Sequence, residues 1–183
     1  MLKRWKKLGS KILKKNPWWT YKRDAFQIPG GVSGEYHYVH TNGSSMVIPV
    51  TEDGRIVLVN QYRYLNQRES LEFPSGSVKD GHSYEDTARA ELAEEAGFKA
   101  GRLEPAGAFN PYNGVTDEIC RVFIARELEK TAAAPDATEE FERHLLTPGE
   151  IDARIRDNTL WDGMTLAAWM LARPSVIRSF RQT

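Results

Sequence analysis

The chain has 183 residues, of which 40% are hydrophobic, and this suits one domain with a sizeable core and a small appended element. Its formal net charge is zero, but residues 1–23 carry nine Lys or Arg and no acid, leaving 16 basic and 25 acidic side chains elsewhere. A single cysteine, Cys120, excludes an intramolecular disulfide and fits a reducing cytoplasm. No apolar run is long enough to cross a bilayer. We therefore expect a cytoplasmic protein with no stable membrane association and no nucleic-acid partner.

The N-terminal segment, residues 1–16, is basic and patterned. Its apolar residues recur at helical spacing between lysines, which predicts a short amphipathic helix over residues 2–13. Such a helix also suits a membrane surface or a nucleic acid, but docking on its own domain or on a dimer partner is favoured. The apolar residues are Leu2, Trp5, Leu8, Ile12 and Leu13.

Strand patterns follow from Pro17. Two strands are predicted around Gly30-Gly31, and a hairpin is predicted over residues 46–64 with Asp53-Gly54 in its turn. A buried strand then ends at Leu71–Pro74.

The stretch from Leu71 to Phe98 is the most informative part of the chain. After a glycine-rich turn at residues 75–81, Ser83 is a candidate cap for a helix that runs to about Ala96 and stops at Gly97. A turn of this kind lets the backbone approach a phosphate closely.

Three carboxylates, Glu91, Glu94 and Glu95, crowd this helix. Glu91 and Glu95 project within about 40° of each other and lean towards the apolar side. Because like charges at this spacing repel, a cation should compensate them. Mg²⁺ or Mn²⁺ suits oxygen ligands and substrate phosphates. The alternative is a solvated acidic face.

The remaining pattern alternates strands, loops and two helices. Strands are predicted over 102–109, 118–128 and 141–147, with a loop at 110–118 that could close over a ligand. Cys120 is expected to be a buried, inert thiol. A capped helix should run from Pro148 to about Arg156, and a last, largely apolar helix from Gly163 to Ala172.

The stretch resembles the Nudix box, G-x5-E-x7-R-E-U-x-E-E-x-G-U, where U is a bulky apolar residue. His82 replaces the first Glu and Ala90 replaces the Arg. The resemblance spans about residues 17–172 and implies an α/β protein, the Nudix α/β/α sandwich with a mixed sheet and an N-terminal antiparallel strand subdomain. The matching residues are Gly76, Glu91, Leu92, Glu94, Glu95, Gly97 and Phe98.

The resemblance also implies a set of metal-binding groups. In Nudix hydrolases the box glutamates and the carbonyl before the box glycine hold Mg²⁺ or Mn²⁺, which here points to Glu91, Glu95 and the Ser75 carbonyl, with Glu94 as a further catalytic carboxylate. The family Arg orients these carboxylates. Arg89 stands one residue early and is expected to pair with Glu85, so low or absent activity is an open outcome.

The segments VLVNQYRY and LEFPSG are similar to those of ADP-ribose pyrophosphatases. That likeness implies a phosphate contact for Arg63 and a role for Glu72 in positioning substrate or metal. Downstream, Glu118 is a candidate polar substrate contact, although Asn113-Gly114 stands where the subgroup has Pro-Gly. A late-loop acid is the implied general base, for which Glu139 and Glu140 are the candidates and Glu142 is third.

The function implied is metal-dependent hydrolysis of the diphosphate bond of a nucleoside diphosphate sugar, first ADP-ribose, giving AMP and ribose 5-phosphate. One alternative is GDP-mannose or another nucleoside diphosphate derivative. The other is a non-catalytic module that binds a nucleotide metabolite; His82 and Ala90 favour it, and the three retained glutamates oppose it. The expected layout is 1–16 basic segment, 17–45 strand subdomain of a homodimer, 46–175 hydrolase domain and 176–183 tail.

Overall fold

The computed structural model describes residues 2–134 and 140–180. The chain divides into two compact units. One comprises the chain up to Asn42 together with Asn110–Ile119, and the other comprises Gly43–Phe109 and the chain from Cys120 onward. The strands are β1 Lys6–Lys15, β2 Thr20–Gln27, β3 Ser33–His40, β4 Ser44–Pro49, β5 Ile56–Arg63, β6 Arg68–Glu72, β7 Ser75–Ser77, β8 Phe98–Phe109, β9 Cys120–Lys130 and β10 Glu142–Leu146. The helices are α1 Tyr84–Glu94, α2 Pro148–Arg156 and α3 Gly163–Phe180.

The first unit contains an antiparallel sheet in the order β1-β2-β3. The antiparallel strands β2 and β3 were expected from the sequence for residues 17–45, and β1 adds a third strand from the segment before them. Trp5 stacks on Phe26 with ring centroids 4.4 Å apart, and Lys7 pairs with Asp24 at 2.6 Å. These contacts fasten the outer strand to β2.

The predicted helix over residues 2–13 is wrong, because Lys6–Lys15 form a strand. Gly9 and Ser10 lower helix propensity, and pairing with β2 satisfies the backbone hydrogen bonds instead. The pairing of β1 with β2 shifts register between Lys7 and Gly9 and again between Ile12 and Lys14. Each shift interrupts the strand alternation of two, so the apolar residues recur at spacings that resemble those of a helix. All ten residues of β1 are exposed.

The segment Asn110–Ile119 completes the first unit. The Val39 amide donates to the Val115 carbonyl at 2.8 Å, and His40 Nδ1 lies 2.8 Å from Asp117 Oδ2. The segment is thus held against β3 by backbone and side-chain bonds.

The second unit contains a mixed sheet, β7-β4-β9-β8, in which β4 and β9 are parallel, and an antiparallel sheet, β10-β5-β6. Successive residues of β4 and β9 point to opposite sides. On one side Val47 packs with Ala88 and Leu92 of α1, and on the other Ile48 packs with Ala168 and Trp169 of α3. Helices therefore cover both faces, as in the expected α/β/α sandwich.

The turn at Asp53-Gly54 is confirmed, but the hairpin around it is not. Beyond a single bridge between Val50 and Ile56, β4 and β5 enter different sheets. All of β4 and the first half of β5 are buried on both sides. Their hydrophobic pattern therefore carries little information about which strands they pair with.

The helices near the C-terminus follow the sequence closely, with one difference. The capping box of Thr147 and Glu150 starts α2 as predicted. The last helix, expected to end at Ala172, continues to Phe180 with Pro174 inside it. Ala172 and Val176 are both fully buried, so packing on either side of the proline stabilises the helix despite the lost backbone bond.

Cys120 is buried, as expected. Within the described residues, the helices include none with the length and apolar character needed to span a membrane.

Asp152 links α2 to α3, accepting from Arg173 at 2.6 Å and from Trp169 Nε1 at 2.8 Å. The Arg173 bond holds the pKa of Asp152 below its ordinary value of 3.8. The Asp152–Arg173 pair therefore contributes its full share of the free energy of unfolding above pH 3.8, and this contribution is lost as the pH falls below that value. We predict that Asp152→Asn lowers Tm by a few degrees at pH 7.

Thermal unfolding at several pH values checks this, with the exposed Glu52→Gln as control. The difference in stability between wild type and Asp152→Asn should shrink as the pH falls below 3.8. A deficit that grows on acidification would contradict the assigned pairing.

Candidate functional site

Helix α1 is fixed by a cap at its N-terminal end and by a buried face. The Ser83 hydroxyl accepts from the Asp86 amide at 3.1 Å and the Asp86 carboxylate accepts from the Ser83 amide at 3.0 Å, closing a capping box. Thr87, Ala88 and Leu92 are its buried residues. The predicted cap and the buried face therefore set which carboxylates the helix presents beside the sheet.

Strand β7 brings the backbone of the glycine-rich turn against α1. A side chain at Gly76 would overlap the carboxylate of Glu91, which lies directly over this glycine. Any residue other than glycine would have to displace that carboxylate. Glycine is needed at position 76 because the backbone and the Glu91 carboxylate approach each other closely. Backbone conformation is not the reason, since the φ of Gly76 lies outside the left-handed region.

Glu95 lies beside the same backbone. Its Oε2 accepts from the Ser75 amide at 3.1 Å, and the residue is only 6% exposed. Ser75, Glu91 and Glu95, which were predicted as metal-binding residues, are therefore brought together.

The exposed Arg63 and the buried Glu72 form an ion pair on neighbouring strands. Arg63 Nε donates to Glu72 Oε1 at 2.8 Å and Arg63 Nη2 donates to Glu72 Oε2, while Glu72 is 1% exposed. The hydrogen bond to Glu72 raises the pKa of the Arg63 guanidinium, and attraction from Asp162 and Glu95 adds to the rise. The Arg63 guanidinium is thus attracted by Glu95, one of the α1 carboxylates, as well as by Glu72.

Two groups around Arg63 were not predicted from the sequence. Gln61 donates its amide to Glu72 at 3.4 Å. Asp162 accepts from the Thr165 amide at 2.7 Å, which makes it the cap of α3. Its position just before a predicted helix was the available signal, whereas nothing local marked Gln61.

The other predicted residues are placed less closely. Glu94 is half-buried on α1, and Glu140 is exposed. Glu118 belongs to the first unit, where the Thr41 hydroxyl donates to its carboxylate at 3.4 Å. Glu139 lies outside the described residues. The roles predicted for these four carboxylates stay predictions.

The two departures from the box are both exposed. His82 lies in the turn before α1, with Nδ1 at 3.3 Å from the Asp80 carbonyl oxygen, and Ala90 faces solvent. Arg89 donates to Glu85 at 2.8 Å, as predicted, and to the Ala100 carbonyl at 3.0 Å. It is therefore engaged away from the box carboxylates.

The donor set fits a divalent cation. Glu91 and Glu95 supply hard carboxylate oxygens beside a backbone cradle that a Cβ at Gly76 would fill. Magnesium is commonly held by one or two carboxylates, water and substrate phosphate. In residues 2–134 and 140–180, no three His, Cys, Asp or Glu side chains form a metal-binding cluster on their own.

Comparisons with known proteins give concordant results. The family model described as "NUDIX domain" matches residues 40–165. The "Methanol dehydrogenase activator" of Bacillus methanolicus is 31% identical over 79% of this chain and 80% of its own. An "ADP-ribose pyrophosphatase" of Bacillus subtilis is 37% identical over 56% of this chain and 55% of its own. A solved "ADP compounds hydrolase" superposes with a TM-score of 0.83 over 98% of this chain and 97% of its own, at 18% identity, which shows a shared fold.

The overlap at Gly76 makes a direct prediction. Gly76→Ala should destabilise the protein by about 1–3 kcal/mol through overpacking, whereas Gly163→Ala, whose Cβ meets no atom within 4 Å, should not. Chemical denaturation measures both. Because the overlap is with Glu91, the cost of Gly76→Ala should largely disappear in a Glu91→Ala background. An equal cost in both backgrounds would contradict the contact.

Proposed function

The chain belongs to the Nudix hydrolase family, and from this premise we propose that it hydrolyses the diphosphate bond of a nucleoside diphosphate sugar. ADP-ribose is the first candidate, with AMP and ribose 5-phosphate as products. The family match confirms the resemblance seen in the sequence. The names of the relatives differ on activity, so the substrate is part of the proposal.

One observation carries the proposal: two box carboxylates lie at the glycine turn, and buried Glu72 of the same unit holds a guanidinium. Glu95 bonds the Ser75 amide, Glu91 covers Gly76, and Arg63 donates to Glu72. Carboxylates suit a cation and a guanidinium suits a phosphate, so the arrangement offers both charges that a metal–diphosphate substrate requires.

Each residue has a proposed role. Glu91, Glu95 and the Ser75 carbonyl would hold Mg²⁺ or Mn²⁺, with Glu94 as a further catalytic carboxylate. When bound, such a cation neutralises diphosphate charge and acidifies a water. Glu72 holds Arg63 with its guanidinium oriented towards a substrate phosphate. Glu139 or Glu140 would accept the proton of the attacking water, and Glu118 would contact the substrate.

Hydrolysis adds one water across the diphosphate. The water oxygen forms a bond to one phosphorus, the bridging P–O bond breaks, and the released phosphate oxygen leaves with the second product. The carboxylate that takes the water proton returns it to solvent. Arg63 offsets the charge that accumulates on the phosphate oxygens.

A homodimer in the cytoplasm is also part of the proposal. Leu8 and Ile12 of β1, and Trp5 just before it, are more than half exposed, and exposed apolar side chains at a sheet edge support association with a partner. Both the dimer and the compartment stay predictions.

A substitution in α1 tests the catalytic proposal. Glu95→Gln keeps an oxygen that can accept from the Ser75 amide, so the fold should persist while turnover falls about 100-fold or more. Glu85→Gln, which removes an exposed charge from the same helix, should keep full activity. Release of the nucleotide product, AMP in the case of ADP-ribose, is measured with Mg²⁺ and with Mn²⁺ on ADP-ribose, GDP-mannose and a dinucleoside polyphosphate.

The substrate panel also separates the alternatives. Cleavage of another substrate in preference to ADP-ribose would move the assignment within the same chemistry. Tight binding of a nucleotide by calorimetry, with no turnover of any substrate, would establish the binding module and contradict the proposed hydrolysis.

Arg63 gives a second test. Arg63→Lys keeps a positive charge beside the buried Glu72 but cannot make the two parallel hydrogen bonds that orient the Arg63 guanidinium. Because the phosphate contact then weakens, KM for ADP-ribose should rise about tenfold, with a smaller change in kcat. Arg68→Lys, at the position paired with Arg63 across the two strands, is the matched control and should leave KM unchanged. Steady-state kinetics with ADP-ribose measures both. Equal KM values for wild type and Arg63→Lys would contradict the phosphate contact.

A further inference from the structure

The C-terminal end of α1 concentrates negative charge. Glu91, Glu94 and Glu95 lie where the helix dipole is itself negative, and the last turn of α1 contains no basic residue. The position at which the family has an orienting Arg is Ala90. The carboxylates therefore need a positive group from outside the helix.

Arg143 of β10 reaches this end of the helix. Its Nη1 donates to the Ala96 carbonyl at 3.2 Å. A Cβ at Gly97 would lie 2.7 Å from the same nitrogen, so the guanidinium packs against the glycine that ends α1. With a φ of +69°, Gly97 also adopts a conformation that suits glycine. One residue thus stops the helix and admits the arginine.

The backbone after β9 bonds the same turn. The Thr131 amide donates to the Gly97 carbonyl at 2.9 Å, and the Ala134 amide donates to the Glu94 carbonyl at 3.1 Å. Terminal helix carbonyls are otherwise left to water. Here neighbouring segments bond three carbonyls, at Glu94, Ala96 and Gly97, which fixes the backbone that carries Glu94 and Glu95.

Two other arginines of the second unit, Arg63 and Arg89, are engaged elsewhere. Arg89 bonds Glu85 and the Ala100 carbonyl, towards the start of β8. Arg63 is held by Glu72. Among residues 2–134 and 140–180, Arg143 bonds a carbonyl at the C-terminal end of the helix, where a positive charge is most favourable.

We propose that Arg143 is a positioning residue for the α1 carboxylates. It compensates the charge at the end of the helix and holds the turn in which Glu94 and Glu95 face a divalent cation, a task that the family gives to the arginine missing at position 90. This inference rests on the proposed function, because it assumes that Glu91 and Glu95 bind a cation. Arg143 itself touches neither substrate nor cation.

The test measures cation affinity directly. Mn²⁺ is titrated calorimetrically into the full-length protein without nucleotide, for wild type, Arg143→Lys and Arg143→Gln. Removing groups that orient metal ligands weakens binding about 10–100-fold, so Arg143→Gln should weaken Mn²⁺ binding about tenfold. Arg143→Lys, which keeps the charge and loses the planar fork, should weaken it about threefold.

Arg89→Gln is the matched control, because it also removes an arginine that donates to a main-chain carbonyl beside α1. Its Mn²⁺ affinity should equal that of wild type. A merely structural role for Arg143 would lower Tm and leave the affinity of the folded protein unchanged. Wild-type affinity in Arg143→Gln, or equal losses in Arg143→Gln and Arg89→Gln, would overturn the proposal.

If Arg143→Gln does not fold, Arg143→Lys decides: affinity within twofold of wild type overturns the proposal, and a larger loss supports it. Failure of the proposed function gives a different pattern. Wild type that binds Mn²⁺ but cleaves no substrate would refute hydrolysis and leave the role of Arg143 to be judged from affinities. Wild type that binds no Mn²⁺ would overturn the role of Arg143.

Discussion

The close approach of the Gly76 backbone to the Glu91 carboxylate is the constraint on which the second unit depends. Strand β7 is only three residues long and pairs with one edge of β4, so the position of its glycine is set by the sheet. Helix α1 is set by its own packing through Ala88 and Leu92. The two elements meet where there is no room for a Cβ. Sheet packing and the chemistry of the carboxylates are therefore linked through a single residue.

Charge in this unit is arranged so that each buried carboxylate has a defined donor. Glu72, almost wholly buried, is held by Arg63, and Glu95 by the Ser75 amide. A buried charge without such a donor is strongly destabilising. The same donors fix the directions in which the carboxylates point, so stability and preorganisation of the site have a common origin.

Features that depend on neighbouring residues in the sequence were predictable. The caps at Ser83 and Thr147 and the pairing of Arg89 with Glu85 all follow from spacings of a few residues, and the structure contains each. The end of α1 was predicted less closely, since the helix ends at Glu94 and not at Ala96. The box itself was recognisable because most of its groups lie on one helix and one turn.

Features that depend on distant partners were not predictable. Lys6–Lys15 became a strand because β2 pairs with it, and β4 paired with β9 from far along the chain instead of β5. Local propensity does not contain that information. Arg143 likewise reaches α1 from 47 residues away. No pattern within β10 distinguishes it from an ordinary surface arginine of a strand.

The first unit is discontinuous in sequence, and this has a consequence for the order of folding. Its three strands are complete by His40, yet the Asn110–Ile119 segment that bonds β3 follows only after β8. During synthesis, which proceeds from the N-terminus, the early strands must wait for about 70 further residues before Val39 can meet Val115. The first unit is thus completed only after β8 has been made, and its edge strands stay open to other partners in the meantime.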